Sequence, residues 1–263
     1  MALADASGVP IHYELAGSGP PLVLLHGFVG DSTTWRHAGY VDALASRFTV
    51  ILVDGRGRGR SGKPHDPAMY HEQHLAGDVL AVLDDLEVDW AGFWGQSLGG
   101  RVGLVLAIRH PGRLRALVAG ATRAQAVSVD SARIEAEMRA IREHGMAGVV
   151  ADLEAAGPLP QWLRSVILTA DPAAVAASYA AMLGWRGVLE ELASVQVPTL
   201  VLAGDRDPGL ADMRATADRI PGSRCAALPG CGHLDTFIRS DLALPVALPF
   251  LTETLTAPLT SSP

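Results

Sequence analysis

Six short runs of mostly apolar residues recur along the chain, and each of them ends in glycine. Strands that are apolar throughout are buried on both faces, as in a parallel sheet covered by helices on each side. We therefore predict an α/β fold with a doubly wound, mostly parallel sheet. The six runs are PLVLLHG at 21–27, RFTVILVDG at 47–55, DWAGFWG at 89–95, LRALVAG at 114–120, PTLVLAG at 198–204 and SRCAALPG at 223–230.

Segments with helical spacing lie between these runs. The pattern in residues 69–88 predicts an amphipathic helix that covers the sheet with one apolar face. The apolar residues that fall at helical spacing in this segment are Leu75, Val79, Val82, Leu83 and Leu86.

The alternation of strands and helices stops between about residues 122 and 190. This stretch has the pattern of several helices without a strand, and it is interrupted by Gly157, Pro158, Pro160 and Pro172. We interpret residues 123–190 as a helical lid over one edge of the sheet, and residues 1–122 and 191–263 as the core. A run of extra structural helices is the alternative.

Composition narrows the class of protein. The 263 residues are 49% hydrophobic, which is enough for one large α/β domain, and the net charge of -7 offers no basic face for nucleic acid. The N-terminus lacks the basic and apolar regions of a signal peptide, and the apolar stretches end before 18 residues. Two cysteines are too few for a disulfide framework. We expect a cytoplasmic protein with no nucleic-acid or membrane partner. The sequence leaves open whether the chain forms a homo-oligomer.

Ser97 lies between a predicted strand and a predicted helix, within the segment GQSLG at 95–99. This segment fits the G-x-S-x-G nucleophile elbow, in which a sharp turn exposes the hydroxyl. The Leu98 N–H would be an unpaired donor at the helix N-terminus, where it can bind developing negative charge. A serine that merely caps an ordinary helix is the alternative.

A serine hydroxyl needs a general base, and the base needs a group that orients it. His233 follows the last predicted strand in a glycine-rich loop, and Asp205 and Asp207 follow the strand before it. These loops meet at the carboxyl edge of a parallel sheet. The chain order serine, aspartate, histidine is that of the α/β-hydrolase arrangement. The strand at 21–27 runs into Phe28, whose N–H we predict as the second oxyanion donor beside that of Leu98.

Five motifs together identify the chain as a member of the α/β-hydrolase fold superfamily over nearly its whole length. The resemblance implies a helical lid inserted after the sixth strand, a Ser-His-Asp triad and no cofactor. The last position of the acid turn is usually the catalytic one, so the resemblance favours Asp207 over Asp205. Arg58 stands where histidine is commoner. The motifs are HGF at 26–28, DGRGRGRS at 54–61, GQSLG at 95–99, GDRD at 204–207 and GCGH at 230–233.

The lid sequence at 131–153 is similar to that of 3-oxoadipate enol-lactonases, but the chain lacks the tryptophan-rich turn that is usual in such lids at the position of 154–165. A carboxylated lactone would need a nearby cation, for which Arg133 and Arg164 are candidates. Candidates to line the pocket are Trp94, Trp162 and Trp185, together with Phe28, and ordinary core packing is the alternative for each.

Three other motifs suggest different chemistry. GRGRSG at 57–62 has the spacing of a dinucleotide-binding loop, but Pro64 and Pro67 prevent it from opening directly into a helix. His71 and His74 lack a third metal ligand, and Cys231 lacks the helix N-terminus that Ser97 has. We therefore expect neither a metal nor a cofactor.

These observations predict a serine hydrolase that cleaves a carboxylic ester or lactone of a small molecule through an acyl-enzyme. Two alternatives stay open. The same residues could serve a carbon–carbon bond hydrolase or a cofactor-free peroxidase on this fold, or they could persist in a small-ligand receptor that does not turn over.

Overall fold

The computed structural model describes residues 2–126, 131–182 and 184–257, without the side chains of Ser131, Arg133, Ile134 and Ala156. One sheet of eight strands forms its centre, in the order β1-β2-β4-β3-β5-β6-β7-β8. The six strands from β3 onward are parallel, and β2 pairs antiparallel with β1 and β4. The strands are β1 (Ala2–Ala6), β2 (Val9–Ala16), β3 (Pro21–Leu25), β4 (Thr49–Val53), β5 (Ala91–Gln96), β6 (Leu114–Gly120), β7 (Thr199–Gly204) and β8 (Arg224–Leu228).

Helices cover both faces of this sheet, as the apolar strands predict. In β3, Leu22 and Leu24 pack into one core, whereas Val23 and Leu25 pack into the other, because successive side chains of a strand point to opposite faces. The helices are α1 (Thr33–His37), α2 (Tyr40–Ala45), α3 (Glu72–Asp85), α4 (Leu98–Arg109), α5 (Ser131–His144), α6 (Met146–Ala156), α7 (Gln161–Thr169), α8 (Pro172–Met182), α9 (Leu210–Arg219), α10 (Asp235–Ile238) and α11 (Ser240–Thr256).

The two layers differ in their helices. Side chains of α3, α4 and α9 form the core on one face, and those of α1, α2 and α11 form the core on the other. The segment predicted as a helix at 69–88 is α3, preceded by a short 3₁₀ turn at Pro67–Tyr70. The sheet is therefore doubly wound.

The stretch between β6 and β7 contains α5 to α8, and its described residues form no strand. Its helices enclose a small apolar core of their own, which includes Ile141, Val150 and Ile167. Phe28 from the loop after β3 and Ile238 from α10 pack against this core. The insertion therefore lies over the edge at which the parallel strands end.

No single helix in the described ranges has the length and apolar character needed to span a membrane. The pair α7 and α8 meets that test on length and composition when taken together, but the two helices are bent by 93° relative to each other.

Candidate active site

Ser97 occupies a sharp turn between β5 and α4. Its backbone has φ 51° and ψ -106°, in a region that residues other than glycine rarely adopt. The Ser97 N–H donates a hydrogen bond to the Gly120 carbonyl on the adjacent strand β6, at 2.7 Å. Strained dihedrals persist only where the surroundings impose them, and they cluster at functional sites.

Two glycines allow the turn to be this tight. A Cβ at Gly95 would lie 2.2 Å from the Gly99 carbonyl oxygen, and a Cβ at Gly99 would lie 2.3 Å from the Leu25 carbonyl oxygen. Both distances are too short for carbon and oxygen, so neither position has room for a side chain. The start of α4 can therefore approach both β5 and the end of β3.

A chain of hydrogen bonds joins the three side chains predicted as the triad. His233 Nδ1 lies 2.8 Å from Asp207 Oδ2, and His233 Nε2 lies 3.2 Å from Ser97 Oγ. A carboxylate only accepts hydrogen bonds, so Nδ1 carries the proton and Nε2 is free to accept from the serine hydroxyl. The distances are within the reach needed for proton transfer.

Asp207 is buried and 7% exposed. Burial raises the pKa of its carboxyl, but the hydrogen bonds from His233 and from the Gly209 N–H outweigh burial, so the pKa lies below the usual value. Asp207 is therefore ionised at neutral pH. Asp205 accepts the Gly230 N–H at 2.8 Å and so holds the loop that carries the histidine.

The predicted oxyanion donors lie beside the serine. The N–H groups of Phe28 and Leu98 donate no hydrogen bond within the described part of the chain. The loop after β3 lies close to the elbow, because a Cβ at Gly27 would be 3.5 Å from the Ser97 Cβ. Two unpaired donors at this position can stabilise negative charge on a carbonyl oxygen.

His26 supports this loop. Its Nε2 accepts the Gly55 N–H at 3.0 Å, and its Nδ1 donates to the Gly27 carbonyl at 2.8 Å. Burial lowers the pKa of His26, so the ring is neutral and has a fixed tautomer. With both nitrogens engaged, His26 holds the loop and is not free to act as a base.

An apolar cavity of about 210 Å³ opens onto Ser97 and His233. The inserted helices contribute Leu153 and Leu163 to its wall, and α1 contributes Thr34. These three residues were not identified from the sequence, because nothing in their local pattern distinguishes a cavity wall from ordinary packing.

The predicted tryptophans lie elsewhere. Trp94 is 1% exposed and packs in the core against Trp35. Trp162 stacks on His37 at the base of the insertion. Trp185 lines a second, smaller cavity beneath α8. Trp94, Trp162 and Trp185 therefore do not border the cavity at Ser97.

Of the two arginines predicted to bind a carboxylate, Arg164 does not border that cavity. Arg164 is exposed and forms an ion pair with Glu154 at 3.3 Å. The side chain of Arg133 lies outside the described residues.

The remaining motifs have structural roles that their neighbours explain. Arg56 forms a buried ion pair with Asp78, and Arg60 pairs with Glu14 at 3.0 Å. Cys231 is fully buried, and burial raises the pKa of its thiol. Among the described residues, no group of three or more His, Cys, Asp or Glu side chains could hold a metal ion.

Comparison with known proteins finds hydrolases of the alpha/beta hydrolase fold. The sequence model of the alpha/beta hydrolase fold matches residues 20–162. A protein of Azorhizobium caulinodans named as a carbamate hydrolase, RutD, is 30% identical, with 96% of this chain and 99% of that protein covered. The 3-oxoadipate enol-lactonase 1 of Acinetobacter baylyi is also 30% identical, over 79% of this chain and 80% of that protein.

Solved structures agree with these relatives. The crystal structure of the enol-lactonase from Burkholderia xenovorans superposes with a TM-score of 0.85 at 27% identity. It covers 95% of this chain and is itself covered completely.

Proposed function

The chain belongs to the alpha/beta hydrolase fold family, and from that premise we propose that it is a serine hydrolase that cleaves a carboxylic ester or lactone of a small molecule. The observation that carries the proposal is the unbroken hydrogen-bond chain from Asp207 through His233 to Ser97. This series of hydrogen bonds ends at the Ser97 hydroxyl, which faces an apolar cavity and lies near two unpaired N–H donors.

In this mechanism His233 Nε2 takes the proton of Ser97 while Oγ attacks the carbonyl carbon. The developing oxyanion accepts hydrogen bonds from the N–H groups of Phe28 and Leu98, and Asp207 stabilises the imidazolium that forms. His233 then protonates the leaving oxygen. Water, deprotonated by the same histidine, releases the acyl group from Ser97.

We assign residues 123–190 as a lid that selects the substrate. Leu153 and Leu163, from α6 and α7, close the cavity on the side away from the sheet. The apolar wall favours a small, largely apolar acyl group near the serine. Opening and closing of such a segment would control entry and exclude water.

A carbamate is a second candidate substrate, because the relative covered over nearly its whole length is named as a carbamate hydrolase. The chemistry of the site is compatible with it. A carbamate carbonyl would be attacked in the same way, and the intermediate would be a carbamoyl group on Ser97.

A fluorophosphonate probe tests the nucleophile. We expect the probe to label the wild-type chain and not Ser97→Ala, with unchanged circular dichroism. A panel of p-nitrophenyl esters, small lactones, carbamates and vinylogous diketones then tests the bond. Turnover of diketones alone would point to carbon–carbon hydrolysis instead, and retention of a ligand without labelling or turnover would point to a receptor.

A further inference from the structure

Arg58 is a buried cation without a counter-ion. The residue is 3% exposed; Nε donates to the Phe28 carbonyl at 2.7 Å, and Nη1 donates to the Gly57 carbonyl at 3.1 Å. Nη2 is buried and has no partner, and no ion pair to Arg58 exists within the described ranges. The nearby Asp78 already binds Arg56. Leaving a charged donor buried and unpaired is costly, so the unused donor indicates a missing acceptor.

Arg101 is a second cation without a counter-ion among the described residues, although it is less buried than Arg58. It lies on α4 one turn after the serine, where its N–H donates to the Ser97 carbonyl at 3.1 Å. Its guanidinium lies over the Trp185 ring, 5.4 Å from the ring centre, and makes no hydrogen bond or ion pair with any described residue. Burial lowers the pKa of Arg101 to about 10, and the charge of Arg123 acts in the same direction.

The two arginines border adjoining cavities beneath α8. Each cavity measures about 30 Å³, and the two share the lining residues Leu75, Leu98, Val102 and Ser178. The carboxylate of Glu72 also borders the cavity of Arg101, but it forms no ion pair with the guanidinium. Two unneutralised cations therefore flank Leu98, whose N–H is a proposed oxyanion donor.

We propose that these adjoining cavities bind a carboxylate of the substrate, which makes the substrate an anionic ester or lactone. This inference rests on the proposed function, because it places the carboxylate relative to a carbonyl held at Ser97. The carboxylate accepts from the unused Nη2 of Arg58 and from the guanidinium of Arg101.

The spacing suits a small molecule. Arg101 lies one helical turn after Ser97, and Leu98, which borders both small cavities, directly follows the nucleophile, so a short carbon chain spans the distance from these cavities to a carbonyl carbon at Ser97. Phe28 borders both the Arg58 cavity and the large cavity at Ser97, so a short carbon chain that passes Phe28 connects them. A charge-assisted hydrogen bond to a carboxylate is among the stronger contacts that a protein forms.

The test compares two esters with the same leaving group and the same chain length. Mono(4-nitrophenyl) glutarate carries a terminal carboxylate, and 4-nitrophenyl pentanoate carries a methyl group there. We expect wild-type kcat/KM to favour the glutarate. In Arg101→Gln the ratio of the two kcat/KM values should fall by about 10- to 100-fold, mainly through KM, because the contact lies away from the reacting atoms.

Two further variants make the comparison specific. Arg58→Lys keeps the positive charge but removes Nη2, so we expect it to lower the ratio as well. Arg164→Gln removes the same charge from an exposed ion pair on the lid, and it should leave the ratio at the wild-type value. A ratio that responds to Arg164 and not to Arg101, or a wild-type enzyme that hydrolyses both esters equally well, overturns the carboxylate site.

Failure of the proposed function has a different signature. If neither ester is hydrolysed by the wild-type chain, the proposed function is in question, and binding of glutarate decides the carboxylate site separately. Glutarate should then raise the Tm of the wild-type chain and not that of Arg101→Gln. No shift in either chain would overturn the site.

Discussion

Replacing Asp207 by asparagine tests the hydrogen-bond chain at its buried end. Both carboxylate oxygens accept a hydrogen bond, Oδ2 from His233 Nδ1 and Oδ1 from the Gly209 N–H, each at 2.8 Å. An asparagine side chain has one acceptor oxygen and one NH₂ group. Either orientation of the amide therefore faces one of the two donors with NH₂.

The two orientations fail for different reasons. If NH₂ faces His233, it donates to Nδ1 and moves the ring proton to Nε2, which can then no longer accept from Ser97. If NH₂ faces Gly209, His233 keeps its proton on Nδ1 and Nε2 can still accept from Ser97. The Gly209 N–H then has no acceptor, and leaving this buried donor unpaired costs about 1–3 kcal/mol. The charge that stabilises the imidazolium is lost in both cases, which costs about 1.5–3 kcal/mol more. The sum of about 2.5–6 kcal/mol corresponds to a loss of roughly 10² to 10⁴ in kcat.

The assay is the steady-state hydrolysis of a p-nitrophenyl ester, with circular dichroism as the check on folding. Asp205→Asn is the matched control, because Asp205 lies two residues away and accepts one N–H, which an asparagine oxygen can also accept. We expect it to lose less than about tenfold in kcat. If Asp205→Asn were the more damaging variant, or if Asp207→Asn kept more than a tenth of the wild-type kcat, the assignment of the acid would be wrong.

Four other substitutions address separate parts of the structure. Ser97→Ala and His233→Ala should each lower kcat by roughly 10⁴ or more with folding intact, as steady-state rates and circular dichroism will show. Gly99→Ala should cost about 1–3 kcal/mol in urea unfolding and at least tenfold in kcat, because its Cβ would collide with a backbone carbonyl; Gly112→Ala, with open space at the Cβ, is the control. Asp54→Asn should destabilise the fold by about 2–4 kcal/mol at pH 7, because the carboxylate accepts two buried hydrogen bonds and one that is partly buried. Burial raises the pKa of Asp54, but its N–H donors lower it below the usual value, so its contribution is complete above about pH 4 and is lost as the pH falls through the folded pKa. The difference in urea-unfolding free energy between wild type and Asp54→Asn should therefore narrow as the pH falls from 7 towards 3, and a constant difference would contradict this account.

The parallel strands could be predicted because burial on both faces removes polar residues from them. All six predicted runs correspond to strands β3 to β8, with ends that differ by at most two residues. The antiparallel hairpin of β1 and β2 was missed for the opposite reason. Leu3 and Leu15 are about half exposed, and His12 is buried. The sequence of β1 and β2 therefore has no continuous apolar stretch that would mark a strand. The only strong hairpin signal in this part of the sequence was the pair Ser7-Gly8, which forms the turn with positive φ at both residues.

The helical insertion was predicted from its lack of strands, but the residues expected to line the cavity, such as Trp162 and Arg164, differ from Leu153 and Leu163, which do line it. Which helix face points to Ser97 depends on how α6 and α7 pack, and their packing depends on contacts with residues distant in sequence, such as Phe28 and Ile238. The same limit applies to Trp94. An aromatic residue beside the nucleophile was a reasonable candidate for the pocket, but the alternation of a strand directs Trp94 to the opposite face from Phe93.

The arginines show most clearly what sequence cannot supply. Arg56, Arg58 and Arg60 alternate with glycine in one loop and look equivalent as letters, yet Arg56 and Arg60 bind carboxylates and Arg58 does not. Whether a cation is neutralised depends on the side chains that the fold brings to it, so only coordinates distinguish the three. Spacing alone could have drawn attention to Arg101, which lies four residues after Ser97, in the first turn of the helix that follows the nucleophile. Its importance as a candidate nevertheless depends on the lack of an acceptor among the described residues. For a site that must attract a negative charge, an unpaired cation is more informative than a cation that matches a motif.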